Sequence, residues 1–141
     1  MHNPAPAILG VLETSLYAVD LARTAAFYRD LLGLRPLLET PRLIAFDAGN
    51  ASVLLVFQRG ATEADSVEAR GTIPGHDGAG RLHLALAIAA DDLATWRGRL
   101  EAAGVALTGE YAWPAGGTSL YFNDPDGAVV ELATPGLWPT R

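Results

Sequence analysis

The chain has 141 residues, 50% of them apolar, with 16 acidic against 10 basic side chains and a formal net charge of −6. Every cation is an arginine and there is no cysteine, which excludes a Schiff-base lysine, a thiolate nucleophile, thiolate metal ligands and disulfides together. An acidic chain without a basic run lacks the electrostatic footprint of a nucleic-acid binder, and no apolar run approaches the ~18 residues that span a bilayer.

Nucleic acid and membrane are therefore not expected partners. The opening Met1-His2-Asn3-Pro4 has no basic stretch leading into an apolar one, so the expected location is the cytoplasm. In chain order, Leu12 to Val19 alternates as a strand, and Asp20 is placed to cap a helix from about Leu21 to Leu32 that Gly33 stops. Leu21, Ala25, Tyr28 and Leu32 fall on one stripe of that helix. Three strands are predicted near Arg35 to Leu38, Arg42 to Asp47 and Ala51 to Phe57, the last two joined by the tight turn Asp47-Ala48-Gly49-Asn50.

Arg59 to Gly80 is rich in Gly, Ala, Thr, Ser and charge and has no sustained period, so it reads as a linker. Its Pro74-Gly75-His76-Asp77-Gly78 segment is a candidate lid, with His76 as a residue that could reach over a cleft. The second half then repeats the order of the first. A strand from Leu82 to Ile88 leads to an Asp91-Asp92 cap, a helix from about Leu93 to Ala103 and a stop at Gly104. Strands near Val105 to Glu110, Thr118 to Asn123 and Ala128 to Thr134 follow, the last two joined by Asp124-Pro125-Asp126-Gly127. Asp20-Leu21 maps onto Asp92-Leu93, Gly33 onto Gly104 and Glu13 onto His83. The expected fold is α+β: one domain over 1–141 made of two tandem βαβββ modules, about 11–58 and 81–135, joined by a linker over 59–80. Together the modules form a curved mixed sheet around a concave cleft.

Alternation assigns faces. Glu13, Ser15 and Tyr17 share the side of the first strand away from the helix, His83 lies with Ala85 and Ala87, and Glu131 points away from the side taken by Val130 and Leu132. If the modules pair about a pseudo-two-fold axis, Glu13, His83 and Glu131 are aimed into one concavity, with Leu54 at the fourth equivalent position. Two carboxylates in a partly dry cleft call for a balancing charge, because a buried unpaired carboxylate costs several kcal/mol. An oxygen and nitrogen donor set without sulfur suits Zn, Mn, Fe, Ni or Mg, and three protein ligands leave positions open for substrate. Ser15, Tyr17, Ser119 and Tyr121 are candidates to orient a polar substrate, Leu54 to line the same cleft, and Trp113 to form an apolar wall.

Three stretches carry a resemblance. Leu16-Tyr17-Ala18-Val19-Asp20-Leu21 runs into Ala26-Phe27-Tyr28-Arg29-Asp30-Leu31-Leu32-Gly33-Leu34. Leu82-His83-Leu84-Ala85-Leu86 precedes Asp91-Asp92-Leu93. Tyr121-Phe122-Asn123-Asp124-Pro125-Asp126-Gly127 precedes Val130-Glu131-Leu132. Over about residues 11–134 these resemble the vicinal oxygen chelate superfamily, also described as the glyoxalase, bleomycin-resistance and dioxygenase group. The resemblance implies paired βαβββ modules, commonly a homodimer, and a divalent metal held by the first and last strands of each module. By motif, His83 and Glu131 fall on the metal positions of the second module, and Glu13 falls where the first often has His or Gln. It further implies a metal-dependent lyase, isomerase or dioxygenase acting on a small oxygenated molecule, with Glu131 and Glu13 as catalytic carboxylates. The alternative is a metal-free protein of the bleomycin-resistance type that sequesters a drug.

Overall fold

The computed structural model describes residues 3–140. Residues 1, 2 and 141 of the expected domain lie outside that range. The first half folds in the expected order: β1 (Glu13–Ala18), α1 (Leu21–Ala26), β2 (Arg35–Glu39), β3 (Leu43–Asp47) and β4 (Val53–Gln58). Asp20 caps α1, its Oδ1 accepting from the Arg23 amide at 3.2 Å. From Phe27 to Leu31 the helix widens into a π turn, and the chain leaves through Gly33 at φ +72°, a left-handed conformation that costs glycine little.

The second half repeats this with β7 (His83–Ala87), α2 (Leu93–Ala102), β8 (Gly109–Ala112), β9 (Thr118–Asn123) and β10 (Val129–Ala133). Three details differ from the sequence expectation. Asp92 makes no side-chain cap; a 3₁₀ turn over Ala90–Asp92 starts α2 instead. β8 begins at Gly109, because Val105 and Leu107 pack against the core rather than joining the sheet. The segment between the modules is not structureless: Ser66–Glu68 (β5) and Gly71–Ile73 (β6) pair as an antiparallel hairpin.

The modules contribute one four-stranded sheet each, ordered β1-β4-β3-β2 and β7-β10-β9-β8. In each, the first strand runs parallel to the last strand of its module, and the remaining pairs are antiparallel. The helix-facing sides share one core. Leu16, Leu21, Tyr28, Phe46, Leu54 and Val56 of the first half pack in a single cluster with Leu100, Phe122, Val130 and Leu132 of the second. On β7, Leu84 and Leu86 turn toward this core while His83, Ala85 and Ala87 are exposed. The apolar alternation thus leaves one face of each sheet free to carry chemistry.

Polar bonds lock the two halves together. Buried Asp124 accepts from its own turn through the amides of Asp126 and Ala128, and from the fully buried Tyr28 hydroxyl at 2.7 Å. Burial and the Asp124 charge push the Tyr28 hydroxyl far above its ordinary range, so it remains a donor. Asp126 reaches the amide of Val19 and the hydroxyl of Thr24, and Arg99 on α2 donates to the carbonyls of Asp30 and Leu31. The Asp-Pro-Asp-Gly turn is therefore also the clasp between modules.

Candidate metal centre and cleft

The parallel pairing of β7 with β10 sets His83 opposite Val129 and Ala85 opposite Glu131. His83 and Glu131 are thus one alternation step apart on the same face, and the small Ala85 leaves room for the imidazole to lean toward the carboxylate. His83 Nε2 stands 3.1 Å from Glu131 Oε1, and His83 Nδ1 stands 2.9 Å from the Val129 carbonyl oxygen. A carbonyl only accepts, so Nδ1 carries a proton. In the neutral imidazole Nε2 then presents a lone pair to a carboxylate oxygen, and an added proton or a metal cation between them resolves the conflict.

The far oxygen of Glu131 is also held. Trp113 Nε1 donates to Ser119 Oγ at 2.8 Å, and Ser119 in turn donates its proton to Glu131 Oε2. Ser119 is fully buried and Glu131 is only 5% exposed, whereas the His83 side chain is half exposed. One carboxylate oxygen is therefore committed to the protein and the other faces the imidazole at the surface of the cleft. This chain of donors suits a metal ligand: outer partners fix both the tautomer of the histidine and the orientation of the carboxylate. The separation is compatible with this, since two donors at ~2.0–2.2 Å from one ion stand about 2.8–3.6 Å apart for donor–metal–donor angles between roughly 90° and 110°.

A cavity of about 700 Å³ opens beside this pair, within the range of small-molecule sites. Trp113 and Tyr121 line it, joined by Leu137 and Trp138 after the last strand. Burial pushes the Tyr121 hydroxyl above its ordinary range, the Ser119 hydroxyl opposing and the Glu131 charge reinforcing, so Tyr121 presents a neutral phenol.

The remaining expected site residues lie elsewhere. Among the described residues no three His, Asp or Glu side chains gather closely enough to hold an ion, so Glu13, exposed at the start of β1, does not join His83 and Glu131 within one chain. Leu54 is a correction: it pairs with Thr14, is fully buried and belongs to the core. Register makes Leu55, beside Ser15, the counterpart of Glu131. Ser15 and Tyr17 stay on the face of the first sheet. The candidate lid covers that face and not the cavity. His76 Nδ1 lies 2.8 Å from the Tyr17 hydroxyl, and the His76 ring packs edge-on against Phe57. Gly78 passes so close to the Tyr17 ring that a Cβ there would lie 2.5 Å from it. Ser119 is too buried to meet a substrate and acts on Glu131 instead. Sequence reading missed the Val129 carbonyl, Leu137 and Trp138; the paired tryptophans at 113 and 138 were the available signal for an apolar wall.

A family model described as the Glyoxalase/Bleomycin resistance protein/Dioxygenase superfamily matches residues 10–132. Among solved structures, lactoylglutathione lyase from Agrobacterium tumefaciens is 32% identical, with a TM-score of 0.84 over 94% of this chain and 98% of that one. Fosfomycin resistance protein FosX from Listeria monocytogenes is 20% identical, with a TM-score of 0.67 over 93% and 97%. A glyoxalase/dioxygenase from Nostoc punctiforme is 19% identical, with a TM-score of 0.70 over 95% and 98%. The last two are likenesses of fold. No curated protein matches the sequence. Among the described residues no helix is long and apolar enough to cross a membrane.

Proposed function

The chain belongs to the glyoxalase/bleomycin resistance protein/dioxygenase superfamily, and from that membership we propose that it is a divalent-metal-dependent enzyme of the lyase, isomerase or dioxygenase type. Its substrate is a small molecule that presents two oxygens to the metal. The observation that carries this reading is the approach of His83 Nε2 to Glu131 Oε1 at 3.1 Å on one open face, each side chain held from behind by a protein partner. His83 and Glu131 hold the ion. When bound, it supplies electrostatic stabilisation of negative charge developing on the chelated oxygens.

The protein is a homodimer in this reading, and the third ligand is Glu13 of the partner subunit. Two features support the assembly. Glu13 and the β7 face of His83, Ala85 and Ala87 are both exposed. The arm before β1 also leaves Ile8, Leu9, Val11 and Leu12 between 70% and 100% exposed, apolar side chains that a partner subunit would cover. Because Ser119 pins Glu131, that residue keeps its place, and Glu13 is the carboxylate free to move a proton as general base. Tyr121 donates a hydrogen bond to a polar substrate atom, and Trp113 excludes water beside it.

Metal analysis of protein purified without chelator tests the proposal. It expects about one transition-metal ion per chain, lost in Glu131→Ala, and a dimeric mass by sedimentation. Metal-free protein that binds a cationic drug equally well before and after EDTA treatment would overturn it in favour of sequestration.

A further inference from the structure

The wall of the cavity is chemically one-sided. Trp113, Tyr121, Leu137 and Trp138 stand around it, and Ala85 and Ala133 form a shallow floor next to His83 and Glu131. The floor follows from strand alternation, which turns Leu84 and Leu86 of β7 toward the core and leaves the small Ala85 and Ala87 on the cleft side beside His83. Among the described residues that line the cavity there is no arginine, and no lysine exists in the chain. The negative charge there is Glu131, which has one oxygen already bonded to Ser119. A carboxylate or phosphonate carried by the substrate beyond its metal-binding oxygens would lose its hydration without gaining a cation from the described residues of the wall.

An uncharged apolar group gains in the same place. Each methylene moved from water onto such a wall is worth roughly fourfold in affinity, and the aromatic rings of Trp113 and Trp138 add face area. Trp113 is held in place by its bond to Ser119, with Tyr111 packed edge-on at a ring separation of 4.7 Å, so this side of the wall is preformed. We infer that the cavity selects a neutral substrate bearing a ring-sized apolar group next to its two metal-binding oxygens, and rejects substrates whose tail carries an anion. This rests on the reading of His83 and Glu131 as metal ligands and narrows it to a substrate class.

The test has two arms. In the first, Zn²⁺-loaded protein is titrated calorimetrically with acetohydroxamate, benzohydroxamate and 4-carboxybenzohydroxamate, which share one chelating head. The expectation is that benzohydroxamate binds about 10- to 100-fold more tightly than acetohydroxamate and that the added carboxylate costs at least about 10-fold. Trp138→Ala, at an exposed position outside every strand and helix, should cut the benzohydroxamate advantage to about threefold or less while acetohydroxamate binding is unchanged. In the second arm, EDTA-treated protein is titrated with 2-naphthol and 6-hydroxy-2-naphthoate, and only the neutral compound should bind. Equal binding of aceto- and benzohydroxamate, or tighter binding of either carboxylated probe, overturns the inference. Failure of every hydroxamate to bind, with naphthol still preferred, sinks the metal assignment and leaves the apolar selection standing.

Discussion

The two sheets show the same frame put to opposite uses. On the second, the open face carries His83 and Glu131, each braced from behind by Val129 or Ser119, beside a cavity of about 700 Å³. On the first, register places Glu13 and Leu55 at the corresponding positions, and the segment carrying His76 and Gly78 packs over Tyr17 and Phe57. The backbone plan is shared, so it does not decide where chemistry resides. What differs is whether a carboxylate at the last-strand position has a buried donor behind it. Glu131 has Ser119, whereas Leu55 is an apolar residue with nothing to brace.

Substitutions at paired positions sharpen this contrast. The largest expected effect is Glu131→Gln, which removes the charge but keeps the shape and should abolish metal retention. Leu55→Gln, at the matching position of the first sheet, should leave metal affinity within about twofold, and competitive Zn²⁺ titration reads both. Next comes Leu54→Ala, which empties a fully buried core site and should cost about 2–5 kcal/mol in urea unfolding; Leu55→Ala, half-buried on the open face, should cost less than half as much. Equal losses at the two positions would mean the assigned register of β4 is wrong. Ser119→Ala frees one Glu131 oxygen and should weaken metal binding about 10-fold, in line with other losses of an outer hydrogen-bond partner. The smallest effect is expected for His76→Ala, which removes an exposed bond to Tyr17. It should cost under about 1 kcal/mol of stability and leave metal affinity unchanged, since His76 serves the other face.

Much of the fold was legible because its signals are local. Asp20, Gly33, Gly104 and the Asp124 to Gly127 turn mark element ends by capping and left-handed geometry, and the leucine alternation of β7 marks its two faces. The β5/β6 hairpin escaped because its short strands bury almost nothing, so no apolar period announces it. The π turn at Phe27 to Leu31 changes hydrogen bonding without disturbing the buried stripe. Position along β4 does not tell Leu54 from Leu55; only the parallel pairing with β1 does. At the site, alternation was enough to turn His83, Glu131, Ser119 and Tyr121 to one face. It does not say that Ser119 lies beneath Glu131, nor that Glu13 stays apart, because both depend on how sheets and subunits meet.

In the proposed centre His83 Nε2 and Glu131 Oε1 share a metal ion and not a proton. Side-chain ¹⁵N NMR of the histidines during Zn²⁺ titration tests it most directly. One equivalent of Zn²⁺ should move the Nε2 resonance of His83 to the metal-bound position, with Nδ1 remaining protonated and His76 unmoved. A His83 signal that stays unchanged past one equivalent, with both ring nitrogens protonated, would contradict the account.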